Sequence, residues 1–227
     1  MKPRPPGAPP GESRTLDLEW RGLVPYTEGL ELQHELVRNR RDGIIPDTLI
    51  LLEHPPVITF GRRYDATHLK VPREELAARG VEIHRVERGG QATVHGPGQL
   101  VGYLIADLYH HGRDIHRFVF NLEESIIRFL GTRGIAAGRK AGRGVWVGDA
   151  KIASVGIAVR RNITMHGFSL NVANDLGAFS WIVACGDPAG SVCSLSSLTG
   201  KREDPATAGF ELAGGLRRVF GYGDGLQ

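Results

Sequence analysis

The chain carries two thiols, Cys185 and Cys193, and one lysine set inside a strongly patterned extended stretch, Lys151 in VGDAKIASVG. A thiol beside a cation is chemically useful. The thiolate is the nucleophile, an unperturbed thiol titrates near about 8.5, and a neighbouring positive charge or base must bring that value down. His95 in TVHGPG and His166 in TMHGFS compete with Lys151 for the part, and spacing does not choose among the three. Cys185 follows the apolar run FSWIVA and precedes GDPAG, so it is expected at a strand-to-loop edge where a thiol is accessible. Cys193, within SVCSLSSL, is expected to be a small packed side chain at the start of the next element. Against these readings stand the ordinary fates of such residues: a buried inert cysteine, a solvated strand lysine, a structural histidine. The two cysteines match no common zinc spacing, and no metal or other cofactor is expected.

The run RGGQATVHGPGQL, Arg88 to Leu100, raises a second possibility. Glycine has no Cβ, so its backbone can approach a ligand closely and present N–H groups to it. Arg88 and His95 bracket the glycines with a charged and a titratable group, which makes the stretch a candidate binding loop. It is not a phosphate-binding P-loop, because no Gly-Lys-Ser/Thr follows, and the strand-turn-helix setting of a dinucleotide fingerprint is missing. The plainer alternative is a glycine-rich turn between strands.

These residues need a scaffold, and the hydrophobic pattern supplies one. A strand is expected near Leu16 to Trp20, a helix over Tyr26 to Arg41, and a buried strand in DTLILLEH ending at His54, with extended chain from Pro56 to Phe60. Asp114 caps the clearest helix, in which Ile115, Phe118, Val119, Leu122, Ile126 and Leu130 recur at helical steps until Gly131 and Gly134 end it. From Gly144 to Val159 two strands are joined by a Gly148-Asp149 turn, and FSLNV adds another. The alternation lacks the regular period of a doubly wound sheet. The fold class expected is therefore α/β of the α+β type, a mixed sheet with helices packed on its faces.

Composition narrows the remaining classes. The 227 residues, 41% hydrophobic and 23% charged, suit one globular domain over residues 15–227, preceded by a Pro/Gly-rich tail over 1–14 that can bury almost nothing. No window approaches the roughly 18 apolar residues that cross a bilayer, and the start lacks an apolar signal segment, so a cytoplasmic protein without membrane contact is expected. The formal charge of +3 suits acidic partners. Its arginines fall in short pairs, Arg40-Arg41, Arg62-Arg63 and Arg160-Arg161, rather than in a stripe with aromatics between, which argues against nucleic acid.

Four blocks, PDTLILLEHPPVITFGRR, RGGQATVHGPGQLVGY, GRGVWVGDAKIASVGIAV with TMHGFSLNV, and ACGDPAGSVCSLSSL, together resemble the lipoate-biosynthesis octanoyltransferases in order and spacing, over about Leu16 to Leu198. The resemblance implies mixed β-sheets flanked by helices, as in the biotin and lipoate protein ligase catalytic domains. It implies octanoyl transfer from octanoyl-acyl carrier protein to a lysine of lipoyl domains, those of the 2-oxoacid dehydrogenase complexes and the glycine cleavage H protein. Cys185 falls on the family's acyl-thioester cysteine and Lys151 on the lysine that lowers its pKa. Arg88, Gly89, Gly90, Gln91, Ala92, Thr93, Val94 and His95 match the substrate-binding loop. Ser154, Val155 and Gly156, with Gly167, Phe168 and Ser169, match two further substrate-contacting triplets. The chain departs from the family at Ala184, often proline, at Asp187, often aliphatic, and at Cys193, commonly threonine. Backbone groups from Lys151 to Gly156 are the expected oxyanion donors. An ATP-dependent lipoate or biotin ligase is the nearest rival and would need no thiol; a basic nucleic-acid module is the rival that is not an enzyme.

Overall fold

The computed structural model describes residues 14–140, 142–183 and 191–223. Cys185 and all of the expected tail except Arg14 lie outside the described residues. Two mixed sheets form the scaffold. The larger has six strands in the order β1 (Leu16–Leu23), β2 (Asp47–Glu53), β6 (Gln99–Ile105), β9 (Ile163–Asn171), β8 (Ala150–Arg160) and β7 (Val145–Val147). Only β1 and β2 run parallel in it, and α1 (Tyr26–Arg41) makes the crossover between them. The smaller sheet places β3 (Val57–Phe60) between β4 (Glu82–Arg85), parallel to it, and β5 (Ala92–His95), antiparallel. The short helix α2 (Arg73–Ala78) connects β3 to β4.

Strand β2 shows why the run DTLILL has no polar alternation: all six residues are buried. Leu49 and Leu51 enter the core with α3 (Ile115–Gly131) and α5 (Pro205–Phe220), whereas Ile50 and Leu52 pack on the α1 side. A central strand covered on both faces is apolar throughout. The expected helix cap holds, since the Asp114 carboxylate accepts from the Arg117 N–H at 3.0 Å. Asp204 does the same for α5, accepting from the Thr207 N–H at 2.8 Å, and Pro205 opens that helix where a missing N–H costs nothing. The Gly148-Asp149 turn joins β7 to β8 as expected, with Gly148 at φ +56.

Two expectations fail. The described part of FSWIVA, Phe179–Val183, does not extend as a strand: Leu176–Trp181 forms a 3-10 turn, and of these residues only Ile182 makes a bridge, to Leu69. The apolar residues Phe179, Trp181 and Ile182 pack against the small sheet, and one-sided packing of this kind does not need a ladder. The glycine-rich run is not a loop throughout, because Ala92–His95 is a strand and Gln99 begins another. Arg88–Gln91 bends ahead of the first of these strands, and Gly96-Pro97-Gly98 turns, carrying the chain from the small sheet to the large one.

Behind the large sheet a polar clasp joins the described chain ends. Arg14 bridges Tyr222 in parallel register, and the Gly223 N–H donates to the Arg14 carbonyl at 3.0 Å. Asp47, buried on β2, accepts from Arg40 Nε at 2.7 Å, His111 Nε2 at 3.0 Å and the Tyr222 hydroxyl at 2.8 Å. Burial alone would raise the Asp47 carboxyl. The hydrogen bonds and charges of His111 and Arg40 overcome that and hold it below the ordinary carboxylate value.

Candidate functional site

A cavity of about 370 Å³ opens between the two sheets, within the range of small-ligand sites. Its floor comes from β6, β8 and β9. Its roof comes from β5 and the segment Arg88–Gln91, and Tyr26 of α1 closes one side. Of the described residues that the family resemblance implies for the site, only Val94 does not line it. Arg88, Gly89, Gly90, Gln91, Ala92, Thr93 and His95 form the roof, and Lys151, Ser154, Val155, Gly156, Gly167, Phe168 and Ser169 the floor. Val94 points the other way, into the small core with Ile58 and Phe60, because side chains alternate along β5.

The glycines serve backbone packing at least as much as ligand approach. The N–H groups of Gly61, Arg62 and Arg63 donate to the carbonyls of Gln91, Arg88 and Gly90 at 2.8, 3.0 and 3.1 Å. A Cβ on Gly61 would sit 2.8 Å from the Arg88 carbonyl oxygen, and one on Gly156 3.0 Å from that of Gly89. Gly90, at φ +91, is in a conformation that L side chains rarely adopt. Arg88 ties this roof together. Its Nη2 donates to Thr59 O at 2.6 Å and Gln91 O at 3.1 Å, and its Nη1 to Gly89 O at 3.0 Å. The guanidinium thus braces the loop's own carbonyls, a positioning task that the sequence did not reveal.

Both cavity histidines are neutral. Burial above all pushes His95 down to about 3, helped by the charge of His54. His166 also falls to about 3, through burial and then the Arg88 charge. Gln99 fixes the His95 tautomer. Its Nε2 donates to Asn171 Oδ1 at 2.9 Å and Val94 O at 3.2 Å, so its Oε1 must accept, and His95 Nδ1 donates to it at 2.6 Å. The lone pair of His95 then sits on Nε2. Similarly, His54 Nδ1 donates to Val24 O at 2.6 Å, so the Tyr103 hydroxyl donates to His54 Nε2 at 2.6 Å. Burial takes Tyr26 up to about 12 despite the opposing Arg88 charge, so its phenol stays protonated. Tyr26, Tyr103, Gln99 and Asn171 were not singled out from the sequence; isolated polar residues in apolar runs were their only signal.

Lys151 is not the solvated strand lysine that its type suggests. It lines the cavity, its Nζ lies 4.9 Å from the centre of the Trp146 ring, and Gly144 packs against its stem, where a Cβ would come within 2.7 Å of Cε. The Gly144 N–H is held by the buried Glu123 carboxylate at 3.0 Å, itself paired with Arg139. The Lys151 N–H donates to Ser191 O at 2.9 Å, and the Cys193 N–H to Lys151 O at 3.1 Å. Lys151's own N–H is therefore engaged, which removes it from the expected oxyanion donors. Cys193 is buried, and burial pushes its thiol up, which suits the packing role expected for it. On the other side of the undescribed segment, the Val183 N–H donates to His68 O at 2.9 Å. Among the described residues no cluster of three or more His, Cys, Asp or Glu could hold a metal ion, and no helix is long and apolar enough to cross a membrane.

The class of this two-sheet domain, with a lysine and neutral histidines on the walls of its cavity, is given by the family it matches: residues 25–210 match the Lipoyl protein ligase A/B catalytic domain. An octanoyltransferase of Caldicellulosiruptor saccharolyticus is 46% identical over 88% of this chain and 86% of its own length. The chain belongs to the octanoyltransferase family and is an acyltransferase. The fold recurs in a bipartite lipoate protein ligase of Thermoplasma acidophilum, solved in a study that includes its E2 lipoyl domain, at 15% identity and a TM-score of 0.71 over 94% of this chain and 87% of that one. It recurs again in the Aquifex aeolicus biotin protein ligase in complex with biotin and ATP, at 12% identity and a TM-score of 0.57 over 90% and 70%.

Proposed function

We propose that the protein moves an octanoyl group from octanoyl-acyl carrier protein to a lysine of lipoyl domains through a thioester on Cys185. The observation that carries the reading is the contrast between the candidate activators. His95 and His166, both near about 3, are too weakly basic to take a proton from a thiol near about 8.5. Lys151 is left. It lines the cavity, and its backbone grips residues 191–193, six positions beyond Cys185 at the nearest, while Phe179 and Val192 line the cavity on either side of the undescribed segment.

In this scheme the Lys151 ammonium favours the Cys185 thiolate, which attacks the carrier's thioester carbonyl. The carrier thiolate leaves and takes a proton. The target lysine's amine then attacks the new thioester, forms an amide and returns the thiolate. Thioester exchange is nearly neutral in free energy and amide formation is downhill, so no ATP is needed, in contrast to an adenylate-forming ligase. Gly89–Gln91, Ser154–Gly156 and Gly167–Ser169 would hold the acyl group. The exposed cavity-lining Arg63 and Arg143 suit an acidic carrier, whose encounter a complementary field accelerates. A cytoplasmic setting would suit these partners.

Intact mass spectrometry after incubation with octanoyl-acyl carrier protein, without ATP, tests the scheme. One octanoyl adduct is expected, lost in Cys185→Ala and Cys185→Ser and kept in Cys193→Ala. An adduct retained in the Cys185 variants would place the nucleophile elsewhere.

A further inference from the structure

His166 is a histidine at φ +59 in the interior of β9. That conformation is costly for a side chain other than glycine, and it persists where surrounding structure enforces it. Here the enforcing group is Gln33 of α1, fully buried, whose Oε1 accepts from the His166 N–H at 2.7 Å. The inversion has a consequence for direction. Phe168 and Leu170 point into the α3–α5 core, and strict alternation would send residue 166 there too. Instead the imidazole faces the cavity, where it meets the Tyr103 ring edge-on at 6.2 Å. It is 3% exposed, and its Nε2 has no hydrogen-bond partner among the described residues.

Roof and floor meet at the same place. Ile157, the partner of His166 across β8 and β9, accepts from the Gly89 N–H at 3.0 Å, so the cavity is shut there by a backbone hydrogen bond. The opposite end is open, with Gly142 and Arg143 exposed beside the Lys151 wall. Lys151 and Ile157 are six residues apart on β8, about 20 Å of strand. An extended eight-carbon chain, advancing about 1.25 Å per C–C bond of about 1.5 Å, is about 9 Å long and fits with its thioester; a sixteen-carbon chain, about 19 Å, takes up that whole span and leaves no room for its thioester short of the closed end.

We infer that His166 is the stop that sets acyl length: the Gln33-held, left-handed backbone turns its imidazole across the buried end of the channel, which therefore takes medium-length saturated acyl groups. The inference rests on the acyl-transfer reading above. A neutral ring suits the role, since an alkyl terminus can lie against it without burying a charge beside hydrocarbon.

His166→Gly tests the stop without disturbing the backbone, because glycine adopts positive φ freely. His166→Asn, also tolerant of this conformation, is the second variant should the glycine variant fail to fold. Each protein is incubated with equal amounts of octanoyl- and hexadecanoyl-acyl carrier protein, and the two adducts are compared by intact mass. The hexadecanoyl-to-octanoyl ratio is expected to rise at least tenfold in His166→Gly and by less in His166→Asn. An unchanged ratio in a folded variant that still forms the octanoyl adduct overturns the inference. If the wild-type protein forms no adduct, the acyl-transfer reading fails by itself. The stop is then read by calorimetry with free octanoate and hexadecanoate: a tenfold shift in their relative affinity supports it, and no shift overturns it.

Discussion

Gly144→Ala should disable Lys151 without touching it. At φ +134 the backbone of residue 144 is one that alanine resists, and the added Cβ would overlap the Ala153 carbonyl oxygen and come 2.7 Å from Lys151 Cε. The carbonyl cannot yield, because β8 is fixed between β7 and β9. Backbone strain of about 1–3 kcal/mol, with some overpacking, puts the loss of stability near 3 kcal/mol, or about 6–12 °C in Tm for a chain of this size. The lysine stem must also withdraw by about 1–2 Å to regain ordinary contact. An ammonium retreating from about 4 to about 6 Å from a thiolate loses about 1.4 kcal/mol of attraction at an effective dielectric of about 20, which is one pKa unit. Thermal unfolding reads the first effect. The pH midpoint of iodoacetamide alkylation at Cys185, followed by peptide mass, reads the second and should rise by about one unit. A variant with Tm within about 2 °C of wild type would refute the packing argument, and one destabilised as expected but with an unmoved midpoint would refute the role given to Lys151.

Two further outcomes follow from the same geometry. Lys151→Arg should preserve much of the low alkylation midpoint yet lose octanoyl transfer if the lysine also carries the proton between leaving thiol and attacking amine, since arginine does not give one up; full transfer by the variant would leave only an electrostatic role. Asp47→Asn breaks a buried ion pair and should lower stability by about 3–5 kcal/mol. Because the folded carboxyl titrates below its unfolded value, its contribution is present above about pH 4 and fades as pH falls through the lower folded value, so the stability gap between wild type and Asp47→Asn measured in urea should narrow on acidification below about pH 4. A gap that stays constant from pH 7 to pH 3 would contradict that sign.

Strong periodicity made parts of the scaffold legible. The Asp114-capped helix, the Gly148-Asp149 hairpin and the buried strand over Asp47–Glu53 each announce themselves through a cap, a turn or a run of β-formers. Strand β5 did not. It is four residues long, buried on both faces and hemmed by glycines, so neither alternation nor length distinguishes it from a loop. Most cavity-lining residues became legible only through the family blocks, and what those blocks did not disclose were the long-range partners. Nothing local in TMHGF shows that Gln33, more than a hundred residues earlier, holds His166 inverted, or that Arg88 spends its donors on Thr59 and neighbouring carbonyls. The glycine-rich run reads as a surface approaching a ligand, and its tightest approaches are to Gly61, Ala173 and Asn174 of the chain itself.

The Arg14–Tyr222 clasp bears on how the chain reaches this state. Bringing together two segments about 200 residues apart costs roughly 5 kcal/mol of chain entropy in an otherwise open coil, more than a few hydrogen bonds return. The clasp therefore cannot nucleate folding. It forms once the α1 crossover has paired β1 with β2 and α5 has docked beside α3, when most of that separation has already been spanned by structure. Asp47 and His111 are then in position to receive Tyr222, and the amide of Gly223 joins the fold among the last and leaves it among the first.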